Sequence, residues 1–170
     1  VSPIFERTFI YDSYSCRKGK GTLFGIERLE HHIRSCSRNY TQPAYVLKLD
    51  IQGYFMSIRR SLLRDKVTGV LSRYWSRPMD AHRRWSDVVP CELVEWLTEV
   101  IIMRDPLAGC MVRGQRSDWD GLPPTKSLRC APCGVGLPIG DLTSQLFSNV
   151  LLNELDRFIT RDLGFVHYGR

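Results

Sequence analysis

The chain is 170 residues long, with 24 Lys and Arg against 18 Asp and Glu, a formal charge of +6, and 43% hydrophobic residues. This balance excludes an intrinsically disordered or fibrous chain and fits a single folded fragment spanning residues 1–170. No apolar run approaches the ~20 residues that cross a bilayer, and charges within residues 1–7 interrupt the apolar stretch a signal peptide needs.

A cytoplasmic protein with no membrane partner is therefore expected, with its six cysteines reduced. The first residue is Val rather than Met, so the sequence is expected to begin inside a longer protein.

Residues 1–15 are aromatic-rich and irregular, and Cys16-Arg17-Lys18-Gly19-Lys20-Gly21-Thr22 is a basic, glycine-bearing turn. From Thr22, a plausible N-cap, Leu23, Ile26, Leu29 and Ile33 recur at helical spacing. After Pro43, residues 44–51 are β-rich and too short for a helix, which predicts a buried strand with Val46, Lys48 and Asp50 on one face. The strand would end by presenting the Asp50 carboxylate beside Gly53, a turn residue.

Helices are predicted over about residues 59–75, with Leu62, Leu63, Val67, Val70, Leu71 and Tyr74 apolar, and over about 90–104, with Leu93, Val94, Leu97 and Ile101 apolar. Residues 106–138 are rich in Pro and Gly without periodicity and read as a loop-rich insertion. Asp141 opens a strong helix carrying Leu142, Leu146, Val150, Leu155, Phe158 and Ile159, closed by Gly164. Residues 165–168 have strand character.

Two stretches could carry chemistry. In Leu49-Asp50-Ile51-Gln52-Gly53-Tyr54-Phe55, a carboxylate at a strand end precedes a tight turn and two aromatics, which suits a divalent cation and a nucleotide. The bland reading is that Asp50 caps the turn and Phe55 is core. In Gly134-Val135-Gly136-Leu137-Pro138-Ile139-Gly140-Asp141, glycines let backbone approach a ligand just before a helix N-terminus, although neither a Rossmann nor a Walker spacing is present.

Together, in this order and separated by an insertion, the two stretches resemble reverse transcriptases, the chain corresponding to the end of the fingers and the palm. Ile139-Gly140 followed by Ser144-Gln145, with Trp119-Asp120-Gly121-Leu122-Pro123-Pro124 upstream, is most similar to the enzymes of diversity-generating retroelements. The resemblance implies an α+β fold, a small antiparallel palm sheet in which the Asp50 strand lies beside residues 165–168, backed by helices. It further implies RNA-directed DNA polymerase activity on an RNA template with a DNA primer and dNTP, using two Mg²⁺ ions.

Asp50 falls where that family places a catalytic, metal-binding aspartate, and Ile51 where a main-chain carbonyl assists. Phe55 falls on the position that excludes a ribose 2′-hydroxyl. Ile139, Gly140 and Gln145 fall near the incoming nucleotide, and Arg17 within a turn that grips template or triphosphate.

The family's Tyr-x-Asp-Asp does not occur in these 170 residues. One aspartate cannot bridge two ions, so the 170 residues alone are expected to be inactive. Alternatives are an intron, retron or defence-type reverse transcriptase, or a non-catalytic nucleic-acid-binding module on a palm-like scaffold.

Cys130 and Cys133 lack the second matched pair that a closed zinc site needs. Basic residues from Arg59 to Arg84, interleaved with Tyr74, Trp75 and Trp85, could track a nucleic-acid backbone or form an ordinary exposed face. Outside fingers and thumb, the fragment is expected to expose apolar surface and could self-associate.

Overall fold

A computed structural model describes residues 2–170. It contains α1 (Ser2–Glu6), α2 (Thr22–Cys36), α3 (Tyr54–Ser57), α4 (Arg60–Tyr74), α5 (Cys91–Met103) and α6 (Leu142–Arg157), the last running into a π-helical turn at Phe158–Asp162. The insertion is irregular, with short 3-10 turns at Arg116–Trp119, Pro124–Lys126 and Leu128–Cys130. No described helix is long and apolar enough to cross a membrane.

The predicted α+β fold is not what forms. Among the described residues there is no sheet, only two isolated antiparallel bridges, Arg59–Val135 and Pro78–Arg84. Residues 44–51 form no helix, strand or bridge, with Tyr45 96%, Leu47 82% and Leu49 80% exposed. β-propensity expresses packing against neighbouring strands more than a backbone preference, so an apolar run with no partner strand stays coil. Residues 165–168 do not pair with it either, because the chain there is held by other contacts described below.

The chain forms two compact units, one of residues 51–147 and the other of residues 2–50 with 148–170. The core of the first is the packing of α4 on α5. Leu63, Val67 and Leu71 on α4 and Val94, Thr98 and Ile102 on α5 are buried at four-residue spacing, the ridge that lets two helices interdigitate. The inward face of α5 is thus rotated from the predicted one, leaving Leu93, Leu97 and Ile101 exposed together with Trp96 and Val100.

Around its apolar residues Ile4, Phe5, Phe9 and Val150, the second unit has a core built largely on buried polar groups. The apolar stripe predicted for α2 faces outward, with Leu23, Ile26 and Leu29 exposed, and Gly21 rather than Thr22 is its N-cap. The inward position belongs to His32, and Arg28 reaches from the same helix to Asp12, donating from Nε to Oδ1 at 2.5 Å and from Nη2 to Oδ2 at 2.8 Å. Helix α6 likewise buries Asn149, Asn153 and Asp156.

The carboxylate of Asp156, 0% exposed, accepts from the Tyr168 hydroxyl at 2.8 Å and from Arg170 Nε and Nη2 at 3.0 and 2.8 Å. Arg170 also donates to Asn149 Oδ1 at 3.0 Å, and its backbone exchanges bonds with Asp12 and Tyr14 at 2.8 and 2.7 Å. These contacts hold the segment through the Tyr168 and Arg170 side chains and the Arg170 backbone, while Phe165 N–H donates to Ile159 C=O at 3.1 Å. A Cβ on Gly169 would overlap the Tyr14 hydroxyl, so only glycine fits there.

His32 Nδ1 lies 3.3 Å from His167 Nδ1, an arrangement that needs at least one neutral ring as acceptor. Asp12, Arg28, His31 and His167 face His32. Its Nε2 is 3.3 Å from Asp12 Oδ2 without hydrogen-bond geometry. Burial, reinforced by Arg28 and the two neighbouring histidines, outweighs Asp12 and holds the His32 pKa below its ordinary 6.5.

The folded state therefore favours neutral His32, while the unfolded chain takes up its proton more readily. Its contribution to stability is complete above about pH 6.5 and is lost as pH falls through the lower folded pKa. Urea denaturation of the chain between pH 8 and 5 should show this decline, and His32→Asn should flatten it. An equally steep decline in the variant would assign the pH dependence elsewhere.

Candidate functional site

Gly53 sets the geometry after Asp50. It adopts φ +62° and ψ +27° at the N-cap of α3, and a Cβ there would meet the Thr125 carbonyl oxygen at 2.8 Å. The left-handed turn and the close approach both require glycine. It delivers Tyr54 and Phe55 onto one short helical turn, their rings edge to face at 5.4 Å, with Phe55 half-buried.

From there the chain runs antiparallel to the glycine-rich stretch. Leu137 N–H donates to Phe55 C=O at 2.9 Å, Gly136 N–H to Ile58 C=O at 2.8 Å, and Arg60 N–H to Gly134 C=O at 2.9 Å. A side chain at Gly136, φ +94°, would collide with Leu128 at 2.6 Å, so the approach depends on its being glycine. The two stretches singled out in the sequence, some eighty residues apart, are thereby joined by backbone bonds within one unit.

Past this pairing, Ile139 is exposed and Gly140, φ +107°, has open space around it. Helix α6 then starts at Leu142, with Ser144 buried and Gln145 half-buried in its first turn. Phe55, Ile139, Gly140 and Gln145 therefore belong to one compact unit, as does Ile51. Asp50 and Arg17 belong to the other.

Arg17 is tied into its own loop. Its Nε donates to Glu6 at 2.8 Å, its Nη1 donates to the carbonyls of Ile10 and Ser13 at 2.9 and 2.7 Å, and its guanidinium lies over the Phe9 ring. This web closes residues 6–17 into a fixed turn. Lys20, by contrast, reaches back to the Tyr11 carbonyl and the Tyr11 ring.

Asp50 is exposed. A carboxylate beside the Ile51 carbonyl offers the hard oxygens that suit Mg²⁺, so the donors fit one such ion in kind. Among the described residues there is no group of three or more His, Cys, Asp or Glu side chains that could hold a metal. Cys130 and Cys133 are exposed thiols.

The buried polar residues Asn149, Asn153 and Asp156, and the half-buried Asp12, escaped the sequence reading. Hydrophobic periodicity is blind to a helix face buried on polar groups, although the spacing of Asn149, Asn153 and Asp156 is itself helical. No protein-family model, curated protein or solved structure matches the chain.

Proposed function

We propose that the chain is part of an RNA-directed DNA polymerase of the bacterial retroelement type, most like those of diversity-generating retroelements. The observation that carries this reading is the backbone pairing of residues 55–60 with 134–137. It makes neighbours of the stretch that follows Asp50 and the stretch that leads into Ile139, Gly140 and Gln145, and one nucleotide site needs both.

In this reading the Phe55 ring stands where the sugar of the incoming nucleotide lies, and a 2′-hydroxyl collides with it. Ile139 offers the base no hydrogen bond, which loosens discrimination among nucleotides. Asp50 and the Ile51 carbonyl would hold a Mg²⁺ ion, which would offset charge on the triphosphate, and further carboxylates would be needed for a second ion. The 170 residues by themselves therefore do not add nucleotides, whereas the complete gene product does.

The test is sugar discrimination by the complete gene product on an RNA template with a DNA primer. Wild type should prefer dNTP to rNTP, and Phe55→Ala should reduce that preference roughly a hundredfold, with dNTP addition itself retained. An unchanged preference in a variant that still extends primers would remove Phe55 from the site. Template binding without extension by the wild-type protein would favour a non-catalytic nucleic-acid-binding module.

A further inference from the structure

Arg60 opens α4 and is only 6% exposed, yet no carboxylate among the described residues pairs with it. Its Nη1 donates to the carbonyls of Met103 and Arg104 at 3.2 and 2.5 Å, at the C-terminal end of α5. Those carbonyls carry the negative end of the helix dipole, a fraction of a unit charge. The Nε is buried with no partner, and Nη2 makes no hydrogen bond within the described chain.

A guanidinium taken out of water with one of its three nitrogens bonded is costly, and proteins ordinarily offset that cost with an anion. Capping α5 accounts for Nη1 and leaves the rest of the group unexplained.

Arg60 lines a cleft of about 210 Å³ within the unit of residues 51–147. Arg104 and Asp141 also line it, both exposed, and among the described residues no ion pair joins Asp141 to either arginine. Between the charged groups the wall is apolar, formed by Ile102, Pro106 and Leu137. The space exceeds that of a single water, and two arginines, Arg60 and Arg104, are among the residues that line it.

A guanidinium presents a planar fork of N–H donors matched to two oxygens of one anion. We propose that this cleft binds a small oxyanion, a carboxylate or a phosphate ester, carried on a compact apolar body. Arg60 supplies the buried half of the grip and Arg104 the exposed half, and Asp141 at the rim opposes the ligand's charge. Nucleotide addition plays no part in the inference, which stands or falls separately from the polymerase reading.

Calorimetric titration of the chain with inorganic phosphate and, separately, with benzoate tests it, with ionic strength held constant by sodium chloride. Saturable binding at one site is expected for at least one probe. Phosphate alone would identify a phosphate ester as the natural group, and benzoate alone a carboxylate. Arg60→Met should weaken binding roughly tenfold or more. Arg104→Gln should weaken it by a smaller factor, and Asp141→Asn should tighten it.

The last two positions are exposed, so those variants decide the matter even if Arg60→Met does not fold. Failure of both probes to bind would overturn the proposal, as would isotherms that Arg104→Gln and Asp141→Asn leave unchanged.

Discussion

Asp50→Asn in the complete gene product should slow RNA-templated nucleotide addition by roughly a thousandfold or more, a loss of about 4 kcal/mol of transition-state stabilisation. The substitution keeps the size of the side chain and removes its negative charge, the property that makes it a Mg²⁺ ligand. Because Asp50 is exposed and makes no hydrogen bond or ion pair in the described chain, little stability rests on it. A surface substitution of this kind changes stability by ~0.5 kcal/mol or less.

A collapse in rate with an unchanged urea midpoint and unchanged primer–template affinity therefore separates chemistry from folding. Asp65→Asn provides the comparison, since Asp65 is an exposed acid on α4 paired with Arg64 at 2.9 Å. It should leave the rate close to wild type.

The second large effect concerns stability. Asp156→Ala leaves Arg170 and the Tyr168 hydroxyl without the carboxylate that both contact, in a site where Asp156 is fully buried. Breaking a buried pair by removing one partner costs about 3–5 kcal/mol, a large part of the 5–15 kcal/mol that holds a typical domain. Burial, and then the hydrogen bond and charge of Asp156, push the Tyr168 pKa well above its ordinary 10.0.

In Asp156→Ala the acceptor and the charge are gone, so Tyr168 should ionise at lower pH than in wild type. Urea denaturation gives the stability change and a spectrophotometric titration of tyrosine gives the second effect. Hydrogen exchange of residues 167–170 should speed up in the same variant as the segment loosens. A loss below about 1 kcal/mol would mean that these residues find water in place of Asp156.

The helices were legible in the sequence where apolar residues recur on one face and Gly or Pro marks the ends. Helix α4 occupies Arg60–Tyr74 where residues 59–75 were expected, and α5 occupies Cys91–Met103 where 90–104 were expected. Which face turns inward was less legible. On α5 the whole surface is apolar enough that Leu93, Leu97 and Ile101 rival Val94, Thr98 and Ile102, and packing against α4 chooses the latter.

On α2, Leu23, Ile26 and Leu29 form the obvious stripe, but the Asp12–Arg28 pair and the His32–His167 contact turn the helix the other way. Ion pairs with residues distant in sequence leave no periodic trace. The missing sheet has the same origin. Residues 44–51 carry every local mark of a strand, and strand formation depends on a partner that local marks do not specify.

The candidate site was legible in part. The positive φ of Gly53 and of Gly136, and the close contacts a side chain would make at each, follow from their being glycine beside a turn. The hydrogen bonds that join Phe55 to Leu137 and Ile58 to Gly136 had no sequence signal other than the order of the two stretches. The buried guanidinium of Arg60 was lost among the basic residues of the middle helices, since its burial arises from the meeting of three segments far apart in sequence.

Primer extension by the complete gene product, on an RNA template with a DNA primer, all four dNTPs and Mg²⁺, tests the central claim most directly. Template-directed addition that Asp50→Asn abolishes is the predicted result. Tight primer–template binding with no addition, or addition that survives Asp50→Asn undiminished, would contradict it.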